Sequence, residues 1–199
     1  MHGPKLVIFA KAPRLGRVKT RLGRDIGSVR AWHFYRTMLF RLARRLGPDP
    51  RWQTLIACAP DTAIADAGIW PKGVSRIAQG GGDLGQRMQR CFDTLGPGPV
   101  VIIGADIPDI APGDIADAFR ALGRRDCVFG PADDGGYWLV GLRRRPRIRK
   151  LFDGVRWSGP HALADTVRNL GNAPYSALKT LNDVDNGKDF ARFSESRQV

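Results

Sequence analysis

The chain has 199 residues, 43% of them hydrophobic and 9% aromatic, which is enough to bury the core of one domain and too apolar for intrinsic disorder. Its formal net charge of +13 points to an anionic partner, either nucleic acid or a smaller polyanion such as a nucleotide. No apolar run approaches the roughly 20 residues of a membrane span, and the run 6–10 is too short for a signal-peptide core. Cys58, Cys91 and Cys127 are far apart, with neither zinc-ligand nor Cys-x-x-Cys spacing, so structural thiols in a cytoplasmic protein are expected.

In chain order, residues 5–10 read as a buried strand, and a basic loop carrying Lys11, Arg14, Arg17, Lys19, Arg21 and Arg24 follows. Ser28 is placed to cap a helix whose apolar face recurs at Trp32, Tyr35, Leu39, Leu42 and Leu46, and Gly47-Pro48 stops it. Residues 54–59 form a second strand and 74–78 a short third. The glycines Gly80, Gly81 and Gly82 lead into a helix over 83–95, and residues 100–103 are the clearest central strand. A helix after Pro112-Gly113 is followed by strands at 127–129 and 137–142, a helix at 161–170, a strand at 177–181 and a last helix from about Lys188. The later run of Arg143, Arg144, Arg145, Arg147, Arg149 and Lys150 reads as a solvated face.

Strands alternating with helices predict one α/β domain over residues 1–199, a three-layer α/β/α fold with a Rossmann-like, mostly parallel sheet. Ligands bind such sheets beyond the carboxyl ends of the strands, which singles out four segments. In the first, Lys11 to Leu22, Gly16 lets the backbone approach an anion while the cations around it neutralise phosphate; the alternative is a flexible surface loop, and no Walker A motif is present. In the second, Gln79 to Met88, glycines precede a helix start with Asp83 as N-cap, serving a ligand or simply a capped turn. The third puts Asp106 just after the central strand, a position suited to Mg²⁺, with Asp109 free to cap the next helix. The fourth, Gly130 to Trp138, holds Asp133, Asp134, Gly135 and Gly136 and is equally readable as a hairpin turn.

Together these segments resemble a bacterial transferase family of the nucleotide-diphospho-sugar transferase superfamily, whose GT-A-like relatives include the molybdenum-cofactor guanylyl- and cytidylyltransferases and 2-phospholactate guanylyltransferase. The matching blocks run from Phe9 to Leu22, Gly80 to Met88, Gly104 to Ile110, Gly130 to Gly141, Trp157-Ser158 and Asn182 to Asp185, in the family's order. The resemblance implies that Lys19, helped by Lys11, Arg14, Gly16 and Arg21, contacts the phosphates of a nucleoside triphosphate or nucleotide-sugar. It implies that Gly82, Asp83, Leu84 and Gln86 lie near the base. It makes Asp106, Asp185 and Asp183 ligands of Mg²⁺, or Mn²⁺, with Lys19 and Asp106 catalytic. Asp134, Gly135 and Gly136, with Tyr137, Trp157 and Ser158, would face a small-molecule acceptor. Gly159 and Gly187 stand where the family has threonine and proline, and the glycine-rich signature of the molybdenum enzymes is absent, so their substrate does not carry over.

Nucleotidyl transfer from an NTP to a small phosphorylated or hydroxyl acceptor, with release of pyrophosphate, is the leading expectation. Glycosyl transfer is the rival within enzymes; nucleic-acid binding, or a catalytically silent nucleotide-binding protein, is the rival outside them. The histidines His2, His33 and His161 lie outside the four segments, and no Ser-His-Asp or Cys-His arrangement is evident. No membrane partner is expected, and the oligomeric state stays open, a homodimer included.

Overall fold

The computed structural model describes residues 3–195, so His2 lies outside them. Strand β1 (Lys5–Lys11) is apolar between its end lysines because both of its faces are covered: Leu6, Ile8 and Ala10 enter one core cluster and Val7 the opposite one. Strand β4 (Val100–Gly104) alternates the same way, with Val101 and Ile103 on the first side and Val100 and Ile102 on the second. Such two-sided burial is what a parallel sheet under two helical layers requires.

Strands β2 (Gln53–Ala59), β3 (Ser75–Ala78), β5 (Cys127–Pro131), β6 (Tyr137–Leu142) and β7 (Tyr175–Ala177) complete the sheet. Among the described residues its order is β3-β2-β1-β4-β6-β5-β7. The β1–β2, β1–β4, β2–β3 and β5–β7 pairs are parallel, and β6 runs against both β4 and β5. The chain leaves β1 toward β2 on one side and reaches β4 on the other, so a crevice opens beyond the carboxyl ends of β1 and β4.

Helix α2 (Ser28–Leu46) lays Tyr35, Leu39, Leu42 and Leu46 on one face of the sheet beside α4 (Pro112–Leu122), which adds Ile115, Ala118 and Leu122. Helices α3 (Leu84–Thr94) and α5 (Ala162–Leu170) cover the other face through Met88, Phe92, Ala162 and Leu170. A third cluster of Leu22, Phe34, Met38 and Val184, with Phe190 and Phe193 packed against it, ties α1 (Thr20–Ile26) and α6 (Gly187–Glu195) to α2. No described helix is long and apolar enough to cross a membrane.

Four local expectations are corrected. The second half of the basic loop is helix α1, and Ser28 is already inside α2, whose N-cap is Gly27 at φ 87 with no side-chain cap. The last strand is Tyr175–Ala177 instead of 177–181; beyond it Leu178 and Leu181 only donate single backbone bonds to Phe129 and Pro131, where β5 carries a bulge. The start of α4 is closed by Asp114, which accepts from the Ala111 amide at 2.8 Å, and not by Asp109. The later arginine run is solvated only in part: Arg145, Arg147 and Lys150 are exposed, but Arg143 and Arg149 pair with Asp126 at 3.4 and 2.6 Å, and Arg144 donates to the carbonyls of Leu95, Gly96 and Gly98 left open after α3 ends. The three cysteines are buried, and burial pushes the thiols of Cys58 and Cys91 up to about 12 and about 11, which keeps them unreactive.

Candidate active site

The crevice is built from three chain segments that meet only in the folded protein. Lys19 ends the basic loop as the N-cap of α1, in the left-handed region at φ 46 and ψ 47. Backbone of this kind in a residue other than glycine costs about 1–3 kcal/mol and collects at functional sites. Its effect is to turn the Lys19 side chain inward, to 7% exposure, with Nζ 2.6 Å from Asp106 Oδ2, in contact with Asp185 Oδ1 and 3.9 Å from Asp183 Oδ2. Asp106 follows β4, and a Cβ at Gly104 would stand 2.6 Å from Ile107 Cδ1 and 3.0 Å from Asp106 Oδ1, so these two side-chain tips would have to shift. Asp183 and Asp185 come from the loop before α6. Arg21 adds a longer contact of 3.8 Å to Asp185.

One carboxylate oxygen from each of Asp106, Asp183 and Asp185 lies within 4.8 Å of the others. This all-oxygen, all-carboxylate set suits a hard divalent cation. Burial pulls the Lys19 amine down, but Asp106 and Asp185 outweigh it and hold the group above its ordinary range, fully cationic. Burial, joined by repulsion from Asp185, pushes the Asp183 carboxyl up to about 7. Burial also works against Asp185, but attraction and hydrogen bonding to Lys19 prevail and keep it below the usual carboxylate range. The charge of the triad is thus partly offset from within, by the lysine that the family resemblance directs toward phosphate.

Two cavities flank Asp106. The larger, about 610 Å³, is bordered by Lys11, Lys19, Arg21, Gln79, Asp83 and Arg87. The smaller, about 330 Å³, is bordered by Met88, Asp134, Gly136, Tyr137 and Asp183. Phe9, Leu84, Trp157 and Ser158 line both.

Among the residues expected near the nucleotide, Lys11, Lys19, Arg21, Asp83 and Leu84 line the larger cavity. Four others line neither cavity. Arg14 is paired with Asp66 at 2.6 Å, and Gly16, at φ 73, sits in open space. Gln86 Oε1 accepts from the Asp83 amide at 3.0 Å and the Gln86 amide donates to Asp83 Oδ1 at 2.8 Å, a capping box that commits both side chains to the start of α3. Gly82, at φ 99, leaves the space that the Gln86 side chain occupies.

Residues expected to face the acceptor gather at the smaller cavity, except Gly135. The hairpin expected from the Asp-Gly turn is present between β5 and β6, and it also supplies this wall. Gly135, at φ 81, packs its backbone on Pro160, so a Cβ would sit 2.4 Å from the Pro160 carbonyl oxygen. Gly135→Ala is expected to cost roughly 2–3 kcal/mol, since backbone strain and a backbone clash combine. At this chain length that corresponds to a melting point lowered by about 5–10 °C in calorimetry; a shift within a degree of wild type would refute the close packing.

Trp157 is held by aromatic contacts with Tyr137 and Phe152, at centroid distances of 6.5 and 6.0 Å, over Gly85. Its neighbour Arg156 is clamped by Asp165, which accepts from the Arg156 backbone amide, Nε and Nη2 at 3.1, 2.9 and 2.9 Å. These Arg156 bonds hold the Asp165 carboxyl well below its usual range. A depressed carboxyl lends stability above its unfolded pKa and loses it as pH falls. Thermal melts of Asp165→Asn should therefore fall less steeply than wild type between pH 5 and pH 2; parallel curves would remove this clamp from the acid response.

Sequence reasoning missed Gln79, Arg87 and Tyr35. Gln79 is buried, donates to the carbonyls of Ala57 and Ala10 at 2.8 and 3.3 Å, and accepts from Arg87 Nη1 at 2.9 Å, so it aims Arg87 along the larger cavity. Both residues were within reach, because Gln79 heads the glycine segment and Arg87 lies one turn from Asp83. The Tyr35 hydroxyl accepts from the Lys11 amide at 2.9 Å and donates to its carbonyl at 3.1 Å, a role hidden behind Tyr35's place on an apolar helix face.

A family model described as "Uncharacterized protein conserved in bacteria (DUF2064)" matches residues 42–159, more than half of the chain. The chain belongs to the DUF2064 family. This DUF2064 protein is 30% identical to a Desulfovibrio desulfuricans G20 protein provisionally named a nucleotide-diphospho-sugar transferase, over 100% of this chain and 89% of that one, with a TM-score of 0.90. CMP:2-keto-3-deoxy-manno-octonic acid synthetase, solved with CTP, shares the fold at 12% identity and TM-score 0.60, over 99% of this chain and 100% of that one. So does Rv0371C of Mycobacterium tuberculosis H37Rv, solved with manganese, at 18% identity and TM-score 0.57, over 97% and 98%. No curated protein matches the chain. The shared architecture is the nucleotide-diphospho-sugar transferase fold.

Proposed function

We propose that this DUF2064 protein is a divalent-metal-dependent nucleotidyltransferase that moves an NMP from an NTP to a small acceptor. The observation that carries this reading is the meeting of two unlike cavities at Asp106, one bordered by Lys11, Lys19, Arg21 and Arg87 and the other by the Asp134 hairpin. A triphosphate needs dense positive charge, and phosphoryl chemistry needs two reactants held in line more than it needs a covalent nucleophile. The CTP bound by a protein of the same fold, and the manganese bound by another, support the same donor and cofactor class. The placing of the chain beside the molybdenum-cofactor enzymes rests on the sequence motifs alone.

Asp106, Asp183 and Asp185 would hold Mg²⁺ or Mn²⁺, which when bound neutralises charge on the donor phosphates. Lys19 then exchanges its carboxylate partners for phosphate oxygens, while Lys11, Arg21 and Arg87 bind the remaining donor charge. Phe9, Leu84 and Trp157 give the junction an apolar lining, beside which these interactions are stronger than in bulk water. An acceptor oxygen bonds to the α-phosphorus as the bond from that phosphorus to the bridging oxygen breaks, and pyrophosphate leaves with the electron pair. A hydroxyl acceptor also gives up its proton, for which Asp134 is a carboxylate outside the triad.

The test is a thermal-shift panel of NTPs, nucleotide-sugars, Mg²⁺ and Mn²⁺ on wild type and Asp106→Ala. Metal with NTP should raise the wild-type melting point by several degrees and leave the variant unmoved. Equal stabilisation of both proteins, or of neither, defeats the reading. Glycosyl transfer is the second reading, because the Asp183-Val184-Asp185 pair reaches Asp106, and Asp-x-Asp pairs serve nucleotide-sugar donors on GT-A folds. Labelled pyrophosphate as product supports the first reading, and free nucleoside diphosphate the second.

A further inference from the structure

The two cavities differ most in charge. Lys11, Lys19, Arg21 and Arg87 border the larger. Among the described residues no lysine, arginine or histidine borders the smaller, while Asp106, Asp134 and Asp183 do. Lys19, at the junction, is taken up by Asp106 and Asp185. From this partition we infer that the acceptor is an uncharged or cationic molecule with an apolar body, offering a hydroxyl and carrying no phosphate. This inference rests on the reading of the smaller cavity as the acceptor site.

A phosphorylated acceptor would bring about two negative charges beside acidic groups, lose water on entry and find no counter-ion in the wall. A metal on the triad would offset Asp106 and Asp183, but Asp134 stands outside that set. The remaining wall favours an apolar guest: Phe9, Met88, Ile107, Tyr137 and Trp157 line it, with the Tyr137 and Trp157 rings edge to face at 71°. At about 330 Å³ it fits a ring-sized molecule.

Two polar groups give such a guest an orientation. Asp134 spends Oδ1 on the Gly136 amide at 2.8 Å, and among the described residues its other oxygen has no hydrogen bond. Ser158, held at φ 62, borders both cavities, and its hydroxyl also has no hydrogen bond among the described residues. A carboxylate oxygen accepts from a hydroxyl or an ammonium and repels a phosphate. The wall therefore selects by charge, and the rings retain what passes.

The experiment compares three probes of similar shape by saturation-transfer NMR: tyrosol (neutral), tyramine (cationic) and phenyl phosphate (anionic). Wild type should bind tyrosol and tyramine in the millimolar range and phenyl phosphate at least about tenfold more weakly. Ala132→Lys, which adds a cation to the same wall, should remove that gap, and Ala132→Glu should widen it. Phenyl phosphate binding wild type as well as tyrosol does, or neither tyrosol nor tyramine binding at about 10 mM, overturns the inference. If both variants misfold, the wild-type ranking still decides. Titrating the same samples with Mg²⁺ and NTP separates the two questions. Absent NTP binding with the predicted ranking defeats only the nucleotide reading, and NTP binding with a preference for phenyl phosphate defeats only the inference.

Discussion

Lys19→Met is expected to change two affinities in opposite directions. Without nucleotide, the variant should bind Mn²⁺ about tenfold or more tightly than wild type, because the ammonium that now sits on Asp106 and Asp185 competes for the same oxygens. With nucleotide, the metal–NTP complex should bind about 10²-fold more weakly, since a charge-assisted contact to phosphate is lost from a largely enclosed position. Stability should follow the first effect. Removing the cation leaves three carboxylates facing one another, and breaking such a buried network costs about 3–5 kcal/mol. Here the acids are 27%, 34% and 40% exposed, so solvent screening reduces the expected loss to roughly 1–2 kcal/mol. Calorimetric Mn²⁺ titrations with and without a non-hydrolysable NTP measure both affinities, and melting curves with and without metal measure the rest. Both affinities falling together would mean that Lys19 supports the metal site instead of standing in for its occupant.

That arrangement also marks how far the sequence could be read. The βαβ alternation was legible where a short apolar strand precedes a helix with a clear apolar face, as in β1 with α2 and β4 with α4. Helix α1 was not, because within Thr20–Ile26 only Leu22 is buried and the surrounding charges look like a loop. The site segments were legible as strand ends. What could not be read was the direction of their side chains: Lys19 meets Asp185 across 166 residues, and nothing near Lys19 in sequence announces a carboxylate partner. The same limit hid the Arg14–Asp66 pair, which takes a predicted phosphate ligand to the protein surface. It also hid the charge partition between the cavities, since Asp134 and Asp183 share a wall only once the hairpin and the loop before α6 have docked, partly through the Asn182–Asp133 hydrogen bonds at 3.1 and 2.6 Å.

Metal binding is expected to release close to one proton per site at pH 6 and almost none at pH 8.5. Asp183 is the source, because burial and the neighbouring Asp185 push its carboxyl up to about 7 in the metal-free protein. The direction follows from linkage. Its folded pKa lies above the unfolded value of about 3.9, so between these limits the folded chain holds a proton that the unfolded chain lacks. The metal-free protein therefore gains stability as pH falls through 7, and ionised Asp183 costs stability above it. A divalent cation needs the ionised carboxylate and must expel that proton. Apparent metal affinity should accordingly rise by up to about tenfold per pH unit below 7 and level off above it. Mn²⁺ titrations in two buffers of different protonation enthalpy count the protons directly, and Asp183→Asn should abolish their release while weakening the metal. Equal release at pH 6 and pH 8.5 would mean that Asp183 is already ionised beside Lys19. Lys19 would then face three ionised acids with a single positive charge, and the exchange of Lys19 for metal would need no help from a proton.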